Sequence, residues 1–189
     1  MTLLLTRLRF EHHRPDPTAG TLGIGEPSPR LSWQIAAAPT GWQQSAYEVE
    51  SRSARGPADT RRIEDSNSVL VLWPFTPLTS RERREVRVRA LGKDGTTSDW
   101  SEWVAVEAGL LDASDWSARM IGPAPDSLAG KERAPLVRGE MEIADSPIRS
   151  ARLYATAHGL AEFELNGQRV GDHELTPGWS AYEGRLRYA

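Results

Sequence analysis

An alternation of apolar and polar residues with a period of two is the feature that most constrains this chain of 189 residues. In residues 45–51, Tyr47 and Val49 share one parity, while two glutamates share the other. Residues 85–90 repeat the pattern with valine and alanine. Successive side chains of a β-strand point to opposite faces, so this alternation is typical of strands with one dry face and one wet face. No stretch carries an apolar stripe of period 3.6, and the sequence therefore predicts an all-β chain.

The first 110 residues are predicted to form one antiparallel sandwich of the fibronectin type III or immunoglobulin kind. Further strands are expected at residues 31–34, 68–72 and 103–107, and the core is expected to contain Val49, Val86 and Val88. Turn signals such as Lys93-Asp94-Gly95 separate these segments. A connector is expected over residues 111–132, because Pro123 and Pro125 fix φ and lack an N–H group.

Residues 133–189 are predicted to form a second β-sandwich that is incomplete. Alternating parity is found at Val137, Met141 and Ile143, and again at Ala151, Leu153, Ala155 and Ala157. Asn166-Gly167 supplies two residues that tolerate positive φ, which predicts a type I′ hairpin over residues 163–170. About four strands are too few for a closed core, so we expect this region to be poorly ordered or to self-associate through the strands near Leu153 or Leu186.

The composition excludes several functional classes. The formal net charge of −3 offers no basic field for nucleic acid. No apolar run has the length of a membrane span or a signal peptide. The absence of cysteine excludes disulfides and thiolate metal sites and favours a cytoplasmic location.

An arginine cluster lies near two tryptophans in the sequence. Arg87 and Arg89 alternate with valines, which is typical of the solvated face of a strand. Trp100-Ser101-Glu102-Trp103 resembles the tryptophan–serine box of cytokine receptors without its last serine, and the chain lacks the cysteines of such receptors. Arginine stacks well on tryptophan, so a structural ladder with Arg87 and Arg89 is the alternative interpretation.

Several blocks of the chain together resemble, in order, the N-terminal region of bacterial α-L-rhamnosidases of glycoside hydrolase family 78. These blocks are residues 22–24, 29–33, 44–49, 77–81, 98–101, 107–111, 115–116, 151–154, 165–172 and 177–179, the last with Tyr182. The resemblance implies a fibronectin-III-like sandwich followed by the N-terminal rhamnosidase sandwich, which is jelly-roll-like. In that family an (α/α)6 barrel follows and removes terminal L-rhamnose. The resemblance therefore implies a non-catalytic accessory region that supports the barrel of the same polypeptide. A stand-alone fibronectin-type protein-interaction module is the alternative.

The candidate binding residues lie close together near residue 175. Trp179 and Tyr182 offer aromatic faces for the C–H patches of a sugar, and Asp172 and Glu174 offer acceptors for its hydroxyl groups. The alternative is that the two aromatic residues anchor a core or an interface. The resemblance implies rhamnose as a ligand and calcium as an aid to its binding, whereas the residues themselves predict no cofactor.

No catalytic or metal site is predicted. Glu162 and Glu164 share a parity on one strand, but two glutamates on the wet face of a hairpin are common and no cleft is expected around them. In an extended segment His12 and His13 would point to opposite faces and could not share a metal. The sequence therefore predicts binding and support rather than chemistry.

Overall fold

The computed structural model describes residues 3–54, 56–124, 134–143, 145–148 and 150–188. The chain divides into two compact units, Met1–Ser117 and Ala118–Ala189. The regular structure of the described residues is β-strand, apart from one short 3-10 helix at Ala113–Asp115. The prediction of an all-β chain is confirmed. No helix in the described part of the chain is long and apolar enough to cross a membrane.

The first unit contains seven strands in two sheets. The strands are β1 (Leu4–Phe10), β2 (Thr21–Ile24), β3 (Leu31–Ala37), β4 (Gln44–Arg52), β5 (Asp59–Ile63), β6 (Arg83–Gly92) and β7 (Val104–Ala108). One sheet pairs β1 with β3, and the other has the order β2-β7-β6-β4-β5. All pairs are antiparallel except β2 with β7, which is parallel.

The core of the first unit is built from the apolar parity of these strands. Val49 lies opposite Val88 in the β4–β6 ladder, and both side chains are fully buried, as is Val86. Leu31 and Phe10 of the smaller sheet join the same apolar cluster. The predicted core positions Val49, Val86 and Val88 are therefore confirmed. The test is a sharp one, since a register shift of one residue would have turned all three side chains to solvent.

The strand predicted at residues 68–72 is wrong. Only Val71 in this segment makes a bridge, which joins it to Leu31. Leu70 has a φ of 51°, and its N–H group donates to the hydroxyl of Ser32 at 2.9 Å. Because the left-handed backbone at Leu70 breaks the extended run and a side chain replaces a ladder bond, the apolar run from Val69 to Leu72 does not form a strand.

Polar side chains fix the segment at residues 111–115, which follows β7, against the rest of the first unit. The Ser80 hydroxyl donates to the carboxylate of Asp115 and accepts the N–H group of Leu111 at 2.9 Å. The Asp112 carboxylate caps the short helix by accepting the N–H group of Ser114 at 2.8 Å. The bond from the Ser80 hydroxyl lowers the pKa of Asp115, and a bond from the backbone N–H group of Asp112 adds to this effect.

The second unit contains four two-residue strands among its described residues. They are β8 (Gly159–Leu160), β9 (Glu164–Leu165), β10 (Gln168–Arg169) and β11 (Pro177–Gly178), paired as β9–β10 and β8–β11. Asn166 and Gly167 have φ values of 52° and 77°, so the predicted hairpin with positive φ at both turn residues is confirmed. Val137, Met141 and Ile143 lie outside strands and are exposed, so the parity prediction for these residues is wrong.

Candidate functional site

The candidate binding residues of the second unit lie on either side of β11. This strand pairs Gly178 with Gly159 and Pro177 with Leu160. Trp179 follows β11 and His158 precedes β8, so both residues lie at the same end of this short ladder. Sequence reasoning missed His158, because the pairing of two segments about twenty residues apart carries no local signal.

Trp179 presents a flat aromatic surface. Its indole atoms Cε2, Cζ2 and Nε1 each lie 3.8 Å from the position that a Cβ atom on Gly159 would occupy. The side chain is 70% exposed. A ring that rests on glycine backbone and remains this exposed can stack on the C–H face of a sugar. Exposure argues against the alternative in which Trp179 anchors the core of this unit.

Tyr182 is packed more closely than Trp179. Its ring stacks on the imidazole of His158, with centroids 4.4 Å apart and an angle of 16° between the planes. The hydroxyl oxygen is buried and has no hydrogen-bond partner among the described residues. A buried phenol without a hydrogen-bond partner is energetically costly.

The two carboxylates are not brought to the aromatic pair. Glu174 forms an ion pair with Arg169 at 2.8 Å, and this bond lowers the pKa of Glu174. Arg169 also donates to the carbonyl oxygen of His173 at 2.8 Å. Asp172 is fully exposed beside His173. Within the described part of the chain, no hydrogen bond or ion pair joins either carboxylate to Trp179 or Tyr182.

A ladder of arginine and tryptophan side chains covers the wet face of the large sheet in the first unit. The Arg87 guanidinium lies 4.8 Å from the ring centroid of Trp100 and 4.4 Å from that of Trp103. Arg89 continues the stack at 4.6 Å from Trp100, and Arg52 lies 4.0 Å from Trp103. The predicted ladder is confirmed for Arg87 and Arg89. Sequence reasoning missed Arg52, which the β4–β6 register places opposite Glu85.

Three glutamates and two serines hold the ladder in place. Arg52 pairs with Glu85 at 2.7 Å and Arg89 with Glu48 at 2.6 Å, while Arg87 pairs with Glu50. The Ser98 and Ser101 hydroxyls accept the N–H groups of Ala90 and Val88, both at 3.0 Å. Because the serines fasten their segment along β6, the two tryptophans lie over the arginines. The ladder is thus a structural element of the sheet.

The remaining candidates form no reactive site in the described residues. Glu162 and Glu164 are both exposed at the hairpin. The prediction that His12 and His13 point apart is wrong, because the chain turns at Glu11 and the two rings lie 4.2 Å apart. Burial and the neighbouring His12 lower the pKa of His13. No group of three or more potential metal ligands occurs in the parts of the chain that are described.

Two family models match this chain in succession. Residues 5–112 match the Rha78A-like N-terminal immunoglobulin domain, and residues 146–189 match the α-L-rhamnosidase N-terminal domain. Both models describe N-terminal domains, so the matches place the chain in the N-terminal region of a larger protein. The chain belongs to the family of Rha78A-like α-L-rhamnosidase N-terminal regions. The family model that matches the first unit is that of an immunoglobulin domain and not of a fibronectin type III domain.

Relatives of known structure and sequence agree with this assignment. The chain is 32% identical over 183 residues to an α-L-rhamnosidase of Alteromonas sp. (strain LOR), covering 87% of this chain and 20% of that protein. It is 40% identical to the crystal structure of native α-L-rhamnosidase from Aspergillus terreus, with a TM-score of 0.76, covering 100% of this chain and 21% of that one. The α-L-rhamnosidase from Dictyoglumus thermophilum shares the fold, with 21% identity and a TM-score of 0.78. The chain spans about a fifth of the length of these proteins.

Proposed function

We propose that this chain is the non-catalytic N-terminal part of an α-L-rhamnosidase, whose catalytic part removes terminal α-L-rhamnose. The observation that carries this proposal is the succession of two N-terminal family models in a chain that spans about a fifth of its relatives. No comparison favours a stand-alone interaction module. The coding sequence after residue 189 provides a test. A reading frame that continues for several hundred codons supports the proposal, and an immediate stop codon contradicts it.

The described carboxylates support a non-catalytic role. An inverting glycosidase needs an acid and a base about 6.5–9.5 Å apart on either side of the scissile bond. Glu162 and Glu164 lie two residues apart in the sequence, but both are exposed, and only Glu164 lies on a strand, the two-residue β9. Two exposed side chains on a hairpin do not enclose a sugar between an acid and a base. These residues therefore do not supply the acid of the reaction.

The apolar surface of the second unit supports a role in contacting the rest of the polypeptide. Leucine side chains at residues 136, 153, 165 and 175 are at least half exposed, and so is Met141. Removing one such side chain from water contributes about 1.5–3 kcal/mol. The larger relatives carry this region joined to a downstream part. We therefore propose that the downstream barrel covers these side chains.

A sugar-binding role is proposed for the end of the β8–β11 ladder. Trp179 would stack on the C–H face of a rhamnose unit, with Tyr182 as the second aromatic residue of the proposed site. Calcium prefers six to eight oxygen ligands. Glu174 is already paired with Arg169, and the described residues gather no set of three metal ligands. The residues present do not fit a calcium site, so the proposal involves no metal.

Titration with L-rhamnose tests this role. The indole N–H signal of Trp179 in a nitrogen–proton correlation spectrum should shift in a saturable way. Trp179→Ala should abolish binding without loss of stability, because the side chain is exposed. Leu175→Ala, which removes an equally exposed side chain nearby, should leave the affinity unchanged. Binding that survives in Trp179→Ala contradicts the proposed site.

A further inference from the structure

A small cavity, open to solvent and lined mostly by exposed residues, lies at one end of the first unit. It has a volume of about 290 Å³. Its walls come from the turn between β3 and β4 and from the turn that follows β6, and they include Pro39, Trp42, Gln43, Lys93 and Asp94. Ligand sites in proteins span about 300–1,000 Å³, so this cavity lies at the lower limit and has room for no more than one sugar ring.

The indole ring of Trp42 is held in a fixed orientation in this wall. Its Nε1–H group donates to the hydroxyl of Thr96 at 2.8 Å, and that hydroxyl donates to Asp94 at 2.7 Å. Gly92 makes the arrangement possible, because a Cβ atom there would lie 2.4 Å from the indole nitrogen. A preorganised ring loses little freedom when a ligand stacks on it.

Polar groups surround the ring on the same wall. The ammonium group of Lys93 donates to the amide oxygen of Gln43 at 2.9 Å, which leaves further donors on both side chains. Asp94 accepts from Thr96 through one oxygen, Oδ1, and these bonds lower its pKa and keep it ionised. Its second oxygen can accept from a ligand hydroxyl. The charges of Lys93 and Asp94 balance, which disfavours an anion and favours a neutral ligand.

We propose that this cavity binds a neutral glycosyl unit. The ring of Trp42 packs on the C–H face of the sugar, Asp94 accepts from its hydroxyl groups, and Lys93 and Gln43 donate to its oxygen atoms. The combination of one fixed aromatic face with a few convergent polar groups is the general design of small-ligand sites. The proposed site lies entirely in the first unit and does not depend on the role proposed for Trp179.

Titration of the 189-residue chain with methyl α-L-rhamnoside, D-glucose and inorganic phosphate tests the proposal. The probe is the indole N–H signal of Trp42, assigned by its loss in Trp42→Phe. One of the two sugars should shift this signal with a dissociation constant in the millimolar range, and phosphate should not. Lys93→Met and Gln43→Ala, which change exposed side chains, should each weaken binding by about threefold to tenfold while the melting temperature is unchanged.

Trp179→Ala serves as the matched control, because it removes an exposed indole in the other unit. The shift of the Trp42 signal should persist in this variant. The experiment therefore separates a loss of sugar binding at Trp42 from a loss of sugar binding at Trp179. Three results overturn the proposal. They are no shift of the Trp42 signal with either sugar, a shift that survives both Lys93→Met and Gln43→Ala at full affinity, and a response to phosphate alone.

Discussion

Replacement of Arg87 by alanine removes the centre of the arginine–tryptophan ladder. The guanidinium group lies between Trp100 and Trp103, at 4.8 and 4.4 Å from their ring centroids. It also pairs with Glu50, whose side chain is only 14% exposed. The change therefore removes two ring contacts and leaves a largely buried carboxylate without this partner.

The expected loss follows from these contacts. Each cation–π contact at a partly exposed site contributes about 0.5–1 kcal/mol. A partly exposed ion pair adds about 0.2–1 kcal/mol, and a carboxylate left without its partner costs about 1 kcal/mol more. We expect the free energy of unfolding of the first unit to fall by about 2–4 kcal/mol. The melting temperature should then fall by roughly 10 °C.

Thermal and urea unfolding, followed by circular dichroism and tryptophan fluorescence, measure this loss. Arg62→Ala is the matched control, because Arg62 lies on β5 of the same sheet and its pair with Glu64 is exposed. That change should cost less than about 0.5 kcal/mol. Arg87→Lys keeps the charge without the planar group and should cost about half as much as alanine. Equal losses for Arg87→Ala and Arg62→Ala would refute a stabilising ladder.

Three further predictions concern the core, the segment after β7 and the second unit. Val86→Ala, at a fully buried site, should lower the free energy of unfolding by about 2 kcal/mol in urea, and an unchanged midpoint would contradict the assigned core. The pKa of Asp115 is lowered below its ordinary value of 3.8, so its stabilising contribution is present above that pH and is lost as the pH falls through the folded-state pKa. Asp115→Asn should therefore reduce the loss of stability in acid, and an unchanged acid titration would disprove the role of the Ser80 bond. The isolated chain should self-associate in light scattering or exchange its amide hydrogens rapidly around Leu153 and Leu186, whereas a strict monomer with slow exchange there would contradict this expectation.

The parts of the fold that depend on local pattern could be predicted from the sequence. Alternation placed Val49, Val86 and Val88 in the core, because strand geometry puts successive side chains on opposite faces and the apolar face is the one that is buried. Asn166-Gly167 identified the hairpin, because two residues with positive φ specify the turn. The strand prediction was wrong at residues 68–72, because a left-handed backbone at Leu70 interrupts an apolar run there.

The sites depend on pairing between distant segments, and this is where sequence reasoning was least complete. Arg52 joins the ladder only through the β4–β6 register, and His158 joins Tyr182 only through the β8–β11 pair. The cavity at Trp42 forms because Gln44 lies opposite Gly92, which brings the two flanking turns together. Asp172 and Glu174 were grouped with Trp179 by closeness in sequence, but the hairpin engages Glu174 through Arg169.

Hydrolysis of an aryl α-L-rhamnoside by the purified 189-residue chain tests most directly the claim that this region is non-catalytic. The release of the aryl alcohol is followed by absorbance, beside a sample without protein. The account predicts that the two rates are equal, because the described residues offer no acid and base on either side of a cleft. Turnover by the pure chain that disappears in Glu162→Gln or Glu164→Gln would contradict it.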